Sequence, residues 1–199
     1  MIVVDMESTG VDPIKHSLLS VGAVEYGSPE NFFYEECVVW DGAHVDDEAL
    51  AINGFKREDI FEGKQTDKEL LIKFLAWADT CNEKTIAGQN PATDRDFLKY
   101  TAMRYHVDWP FAQRVVDLHS IAYYHMLKRG VSPPVKNNHS ALNLEAILDY
   151  VGLPSLPEPH NGLTDAKFEA EALSRLISGK PLISSFSGFA IPDFLLSNC

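Results

Sequence analysis

An α/β fold, in which a five-stranded mixed β-sheet carries helices on both faces, is the architecture that this sequence predicts. Three observations lead to it: strand-like segments follow one another near the N terminus, short apolar segments then alternate with helical periodicity, and helices dominate the C-terminal part. Alternating strands and helices are typical of sheets that are covered on both faces. With 199 residues, 45% of them hydrophobic, the chain is long enough for one core.

The five strands are predicted from short apolar and β-branched segments that end at turn residues. Three of these segments follow one another and predict a meander: Ile2–Met6, Leu18–Tyr26 and Phe32–Trp40. Two further short strands are expected at Thr85–Gly88 and Val115–Val116. Ligands of such sheets gather at the carboxyl ends of the strands, so these ends are where functional residues are sought.

The helices are predicted from apolar residues at helical spacing and from start signals. Thr66 and Glu69 have the spacing of a capping box, in which each side chain satisfies a free backbone donor of the other residue. We therefore expect a helix to begin near Thr66. The same periodicity predicts four more helices: one after Asn90–Pro91, then Leu118–Lys128, Leu142–Tyr150 and Thr164–Ile177.

Composition excludes several classes of protein. No apolar run approaches the length of ~18 residues that crosses a bilayer, and no export signal precedes the first strand, so we expect a cytoplasmic protein with no membrane partner. Three widely spaced cysteines, Cys37, Cys81 and Cys199, fit neither a disulfide framework nor a zinc site, and we interpret them as free thiols. The net charge of −12 argues against a broad basic surface for nucleic acid, unless the acidic groups hold cations.

Asp5 and Glu7 form the first candidate site. They flank one residue at the end of the first strand, and the two-residue period of a strand points both side chains to the same face. Two carboxylates this close repel each other unless a cation or a proton lies between them, and oxygen ligands of this kind suit Mg²⁺ or Mn²⁺. The alternative is an ordinary strand end whose acidic residues face water.

Asp94 is the second candidate, in the opening turn of the helix that follows Asn90–Pro91. An aspartate there is also explained by the helix dipole alone. Asp96 competes for any functional role, but Asp94 precedes Phe97 and Leu98 by three and four residues and so shares a helical face with residues that should point inward.

His160 and Asp165 form the third candidate, a histidine in a loop followed by an aspartate at a helix start. An imidazole that titrates near pH ~6.5 can accept a proton from water, which is what a general base must do. The alternative is a surface histidine beside a helix cap.

Together, these segments resemble the three motifs of the DEDDh exonuclease superfamily: Asp5-Met6-Glu7-Ser8-Thr9-Gly10, then Asn90 with Asp94, Phe97 and Leu98, then His160 with Gly162, Leu163, Asp165 and Ala166. The motifs occur in the family's order. Gly162 replaces a more usual alanine, a change that we expect to be tolerated. The resemblance implies a ribonuclease H-like exonuclease domain over residues 1–179 and a C-terminal tail, 180–199, that packs on the domain or on a partner.

The resemblance also implies a reaction and the roles of its residues. It implies 3′-to-5′ hydrolysis of phosphodiester bonds at single-stranded DNA or RNA ends, with release of nucleoside 5′-monophosphates. Two Mg²⁺ or Mn²⁺ ions per site would be held by four carboxylates, with Asp5, Glu7 and Asp165 at one ion, and Asp5 and Asp94 at the other. His160 would deprotonate the attacking water. The residues expected to contact substrate are Met6, Ser8, Thr9, Gly10, Asn90 and Phe97.

Two alternatives stay open at this point. One is an oligoribonuclease-like enzyme that is restricted to very short RNA, and the other is a nucleic-acid-binding scaffold that has kept the fold and lost catalysis. The tail, from Ile183 to Leu196, is apolar but broken by Ser, Gly and Pro, and it suggests a contact with a second copy of the chain.

Overall fold

A six-stranded mixed β-sheet forms the centre of the molecule in the computed structural model, which describes residues 1–196. The strands are β1 (Ile2–Ser8), β2 (Leu18–Glu25), β3 (Ser28–Val38), β4 (Gln65–Thr66), β5 (Ile86–Gly88) and β6 (Val115–Asp117). Their order across the sheet is β4-β3-β2-β1-β5-β6. The first three strands are antiparallel to one another in a meander, whereas β5 runs parallel to both β1 and β6.

Seven helices surround this sheet. They are α1 (Asp47–Asn53), α2 (Asp67–Ala78), α3 (Ala92–Arg104), α4 (Leu118–Lys128), α5 (Leu144–Tyr150), α6 (Gly162–Ser178) and α7 (Asp193–Leu196). A small antiparallel hairpin of β7 (Val135–Lys136) and β8 (His139–Ser140) lies between α4 and α5. No helix within residues 1–196 has the length and apolar character that crossing a membrane requires.

The alternation of side chains along β1 divides the core into two layers. Val3 faces the layer that α4, α5 and α6 cover, and Ile2 and Val4 face the layer of α2 and α3. This is the two-residue period of a strand that is buried on both faces. The predicted α/β architecture with helices on both faces is therefore confirmed.

Local start signals place two of the helices that cover the sheet, α2 and α4. The Thr66 hydroxyl accepts a hydrogen bond from the Glu69 amide at 3.2 Å, and the Glu69 carboxylate accepts one from the Thr66 amide at 2.9 Å. This is the capping box that the sequence indicated at the start of α2. Helix α4 occupies the predicted residues, and Asp117 caps it by accepting hydrogen bonds from the amides of His119 and Ser120.

The predicted number of strands was wrong, because the sheet has six strands rather than five. The additional strand, β4, has only two residues and pairs in parallel with Cys37 and Val38 of β3. Two polar residues give no apolar pattern, so the strand depends on a partner that is distant in sequence. Helix α1 and the β7–β8 hairpin also had no counterpart among the predicted elements, since both are short and mostly exposed.

Residues 180–196 lie against α5 and α6 through a buried arginine. The guanidinium of Arg175 pairs with Glu171 at 2.8 Å and donates to backbone carbonyls on both sides, among them Val151 and Phe189 at 3.0 Å each. Three side chains of this segment are buried in the same apolar layer: Ile183, Phe186 and Leu195. Cys37 and Cys81 are buried free thiols, and Cys199 lies outside the described residues.

Candidate active site

The centre of the site is the carboxyl end of β1. Asp5 pairs with Gly22 and Glu7 with Ser20 of β2, so both carboxylates project to the face that α6 covers. The register shifts between Glu7 and Ser8, where the strand ends. The strand thus presents two acidic side chains side by side, as the spacing in the sequence predicted.

Asp94 reaches the same strand end from the first turn of α3. Its Oδ1 accepts a hydrogen bond from the backbone amide of Met6 at 3.1 Å, and the residue is only 5% exposed. Asp96, the competing candidate, instead pairs with Arg95 at 2.7 Å and is partly exposed. The geometry therefore brings Asp94, and not Asp96, to the two carboxylates of β1.

His160 and Asp165 are joined at the start of α6. The His160 Nδ1 atom lies 2.8 Å from Oδ2 of Asp165, while the other oxygen, Oδ1, is buried without a hydrogen-bond partner. Asn161 caps the helix by accepting a hydrogen bond from the Thr164 amide at 3.2 Å. The histidine side chain is 35% exposed, so one edge of the imidazole remains open to solvent.

Two glycines allow α6 to approach the sheet this closely. A Cβ atom on Gly162 would lie 2.7 Å from the backbone oxygen of Asp5, and one on Gly22 would lie 2.0 Å from the amide nitrogen of Leu163. Real Cβ atoms do not come so close to backbone atoms, and therefore an alanine at Gly162 would push the helix away. The glycine is thus accommodated between α6 and β1 in this chain, and the expectation that it is tolerated in place of the more usual alanine stays a prediction.

Three of the carboxylates converge on one point. Each of Asp5, Glu7 and Asp165 offers an oxygen, and these oxygens lie within 4.8 Å of one another. Carboxylate oxygens at this separation are the ligands that Mg²⁺ and Mn²⁺ prefer. Oδ1 of Asp165 has no hydrogen-bond partner and is therefore available as a ligand. The residues therefore fit a divalent cation.

The electrostatics of the cluster also favour a bound cation. Burial, together with the negative charges of Glu169, Asp94, Glu7 and Asp165, raises the pKa of Asp5 well above its usual value. Burial and the neighbouring Asp165 raise the pKa of Glu7 to about 7, and burial raises the pKa of Asp94 to about 7. Because like charges this close disfavour ionisation, a cation between them would restore it.

The stability of the protein in EDTA should fall as the pH rises from about 5 to about 8. The folded-state pKa of Glu7, about 7, lies above its ordinary value of 4.5. Between these two pH values the folded state binds more protons than the unfolded state, so the free energy of unfolding decreases as the pH rises. Thermal unfolding at several pH values measures the decline. Glu7→Gln, which is neutral throughout, should show a shallower decline, and an identical decline in both proteins would contradict this assignment.

A fifth carboxylate, Glu169, was not among the predicted site residues. It follows Asp165 by one helical turn, is 1% exposed, and its Oε2 has no hydrogen-bond partner. Burial and the charge of Asp94 raise the pKa of Glu169 well above its usual value. A Cβ atom on Gly88 would lie 2.8 Å from that oxygen, so Gly88 gives the carboxylate its room. The sequence does contain a signal for this residue, since Glu169 follows Asp165 by four residues and therefore lies on the same face of α6.

The residues that were expected to contact substrate divide into two groups. Asn90 is exposed near the site, and Met6 offers its backbone to Asp94. In contrast, Thr9 is fully buried with its hydroxyl donating to the His44 carbonyl at 2.6 Å, and the Phe97 ring is 1% exposed within the core. The expected substrate contact of Phe97 is corrected to a packing role, because a ring with no exposed surface cannot meet a ligand.

Ser8 ends β1, and Gly10 lies in the turn that follows it. The Ser8 hydroxyl donates to the Gly10 carbonyl at 2.6 Å, which closes the turn after the strand. Two cavities open beside His160, one of about 330 Å³ towards Tyr34, Asn53 and Lys64 and one of about 700 Å³ towards Glu48 and Ile52. The site therefore has space for a ligand directly next to the imidazole.

Comparison with known families identifies the family of this chain. A model of the RNase T exonuclease family matches residues 2–173. The chain belongs to this exonuclease family. The assignment confirms the exonuclease resemblance carried by the three sequence motifs, and the protein is an enzyme.

One curated relative and several solved structures are similar to this exonuclease. The 3′-5′ DNA exonuclease Cap18 of Escherichia coli is 27% identical over 182 residues, which cover 87% of this chain and 89% of Cap18. The nuclease domain of 3′hExo, a DEDDh family member bound to rAMP, has a TM-score of 0.69 at 17% identity, with 92% of this chain and 93% of that chain covered.

Two larger nucleases share the fold. Cell-death related nuclease 4 has a TM-score of 0.70 at 15% identity, and the product-bound structure of exonuclease I has 0.72 at 16%. Each match covers 90% of this chain, but the chain spans only 64% of the first nuclease and 43% of the second. These structures confirm the ribonuclease H-like fold that the sequence predicted.

Proposed function

We propose that the protein is a metal-dependent exonuclease that removes nucleoside 5′-monophosphates from the 3′ ends of single-stranded DNA or RNA. The observation that supports this proposal most directly is the convergence of Asp5, Glu7 and Asp165 within 4.8 Å, with His160 bonded to Asp165. Asp94 completes the set from α3. The constellation joins four carboxylates, which can hold metal ions, with an imidazole, which can act as a base, and these two functions together serve phosphodiester hydrolysis.

Two Mg²⁺ or Mn²⁺ ions are the proposed cofactors. Asp5, Glu7 and Asp165 would hold one ion, and Asp5 with Asp94 would hold the other. Bound divalent cations activate water and stabilise the charge on the attacking and leaving oxygens of a phosphate. The raised pKa values of Asp5 and Glu7, to which neighbouring negative charges contribute, support this assignment, because a bound cation would favour the ionised carboxylates.

His160 is the proposed general base. If Nδ1 donates its hydrogen to Asp165, the opposite nitrogen, Nε2, carries the lone pair and can accept a proton from water. Asp165 fixes this tautomer and the orientation of the ring. The exposed edge of the imidazole and the adjoining cavities would let the proton leave to solvent afterwards.

Single-stranded 3′ ends are the proposed substrate because of what the relatives are described to bind. Cap18 is a 3′-5′ DNA exonuclease, and structures of exonuclease I hold single-stranded DNA or a dA16 oligonucleotide. A rAMP is bound in the 3′hExo nuclease domain. Both sugars therefore have precedent on this fold. The oligoribonuclease-like alternative predicts activity on very short RNA only, and the inactive-scaffold alternative predicts none.

Product analysis tests the proposed function. Single-stranded RNA and DNA labelled at the 5′ end are incubated with the protein in Mn²⁺ and in EDTA, with Asp5→Ala in parallel. A ladder that shortens from the 3′ end, that needs Mn²⁺ and that the variant does not produce would support the proposal. Degradation confined to fragments of a few nucleotides would favour the oligoribonuclease-like enzyme, and intact strands throughout would favour the scaffold.

Addition of Mg²⁺ or Mn²⁺ should raise the melting temperature of the metal-free protein. A ligand that binds only the folded state stabilises it by an amount that grows with concentration, and cations also relieve the repulsion among Asp5, Glu7 and Asp165. Differential scanning fluorimetry with rising metal concentration measures the shift. An Asp5→Asn, Asp165→Asn double variant is the control, and a shift of the same size in this variant would place the stabilising metal elsewhere.

Three expectations from the sequence stay predictions. We propose that residues 1–179 form the exonuclease domain and that the tail, 180–199, packs on it, in keeping with the bonds that Arg175 makes. A homodimer formed through the tail and a cytoplasmic location are the other two.

A further inference from the structure

Charge is distributed very unevenly along this acidic chain. Residues 118–144 contain Lys128, Arg129 and Lys136 but no Asp or Glu, so this segment carries +3 while the remaining residues carry −15. Three of the seven histidines of the protein also lie in it. Nothing in the proposed hydrolysis needs this segment, and a strand of phosphates would be attracted to it and repelled by most other surfaces.

The segment folds into one continuous surface beside the active site. It comprises α4, the β7–β8 hairpin and the loops on either side, next to the edge strand β6. Asp117, which caps α4, also accepts a hydrogen bond from the Asn90 amide at 3.2 Å. Because Asn90 immediately precedes the helix of Asp94, the surface begins where the carboxylate site ends.

Two adjoining cavities run along this surface and share His119. The first, of about 430 Å³, lies between Asn90 and the hairpin and is lined by polar groups such as Ser140, whose hydroxyl lies 2.8 Å from Nε2 of His119. The second, of about 380 Å³, is lined by His119, Ser120, Tyr123, Tyr124 and Leu127 of α4. The lining changes from polar groups near the site to exposed aromatic ones farther away.

Several side chains of this surface are largely exposed in the described part of the chain. Tyr124 is 66% exposed, Leu127 is 55% exposed and Val135 of the hairpin is 64% exposed. The rings of His119 and Tyr123 lie next to each other, with centroids 5.8 Å apart. Lys128 and Lys136 are exposed, and neither forms an ion pair in the part of the chain that the structure describes.

We propose that residues 118–144 bind the part of a single-stranded nucleic acid that lies 5′ of the terminal nucleotides. This inference rests on the proposed function, because it assumes that the 3′ end occupies the carboxylate site. Bases would stack on Tyr123, Tyr124 and His119, while Lys128 and Lys136 would contact phosphates. Because the segment contains no carboxylates, it would repel the phosphates of a bound strand less than the acidic surfaces of the rest of the protein.

The dimensions of the surface set the length of strand that it holds. From His119 to Leu127 the face of α4 extends about 12 Å, at about 1.5 Å per residue. This length matches three or four nucleotides spaced by about 3.4 Å. A strand of three nucleotides whose 3′ end lies at the carboxylate site would be too short to cover both the site and this face, whereas a strand of 20 nucleotides would cover all of it.

Binding of short and long strands tests this inference. Fluorescence anisotropy in EDTA is measured with labelled single strands of three and of 20 nucleotides, for the wild type and for the double variant Tyr124→Ser, Lys136→Gln. Since stacking contributes about 1–3 kcal/mol per base, the variant should bind the long strand about tenfold more weakly and the short strand equally well. The slope of log Kd against log salt should fall by about 0.7 for the one lost phosphate contact.

The matched control is the double variant Phe61→Ser, Lys180→Gln. It also replaces one aromatic and one lysine side chain, both exposed, but at positions outside residues 118–144. Equal affinity of the wild type and the Tyr124, Lys136 variant for the long strand would overturn the inference. Equal losses in both variants would overturn it as well. Since the assay is in EDTA, its result does not depend on hydrolysis, so a wild type that binds long strands but degrades none would count against the proposed function alone.

Discussion

Asp5→Asn should abolish exonuclease activity and, at the same time, stabilise the metal-free protein. Asp5 is the carboxylate that the other four acidic groups surround, and its pKa is raised well above the usual value by burial and by their charges. Removal of one group that stabilises a reacting centre lowers turnover by about 10²–10³-fold. Because Asp5 is proposed to hold both metal ions, the turnover of Asp5→Asn should fall by at least this factor. The amide removes one of the repelling charges, so the metal-free fold should gain stability.

Two measurements on the same variant separate chemistry from folding. Turnover is measured on 5′-labelled single strands in Mn²⁺, and melting temperature is measured in EDTA, where a gain of about 1 kcal/mol would appear as about 2–4 °C. Asp96→Asn is the matched control, since Asp96 is paired with Arg95 outside the cluster. Loss of activity together with a lower melting temperature would indicate misfolding, and full activity would remove Asp5 from the proposed metal site.

Elements with strong local signals could be predicted from the sequence. The capping box at Thr66 and the apolar period of α4 depend only on neighbouring residues, so the start of α2 and both ends of α4 were confirmed. Strand β4 could not be found in this way, because its two residues become a strand only by pairing with Cys37 and Val38. Its formation is a property of the tertiary structure.

Among the site residues, too, local patterns could be predicted and tertiary contacts could not. The period of β1 predicted that Asp5 and Glu7 share a face, and helical phase selected Asp94 over Asp96, which the bond to the Met6 amide agrees with. The roles of these residues remain proposals. The burial of Glu169 and the raised pKa of its carboxyl were not foreseen, because both depend on which elements pack around the residue.

His160→Ala should lower turnover by about 10²–10⁴-fold, the usual contribution of a positioned acid or base, while leaving metal binding nearly intact. The imidazole bonds to Oδ2 of Asp165, whereas the three oxygens that converge within 4.8 Å come from Asp5, Glu7 and Asp165 alone. Removal of the ring therefore takes away the proposed base without removing a carboxylate donor. Steady-state turnover and calorimetric titration with Mn²⁺ measure the two effects separately.

The pH profile distinguishes a base from a residue that merely orders the loop. If His160 accepts the proton, the pH profile of the wild-type turnover should contain an acidic limb that the residual activity of His160→Ala lacks. His44→Ala, which removes an exposed imidazole elsewhere, should retain the wild-type profile. A lowered Mn²⁺ affinity in His160→Ala would instead make the histidine a metal ligand. An unchanged acidic limb in His160→Ala would assign the base to another group. The role of the histidine would then be to hold the Asp165 carboxylate in place, because Asp165 is the only side chain that His160 bonds to within the described residues.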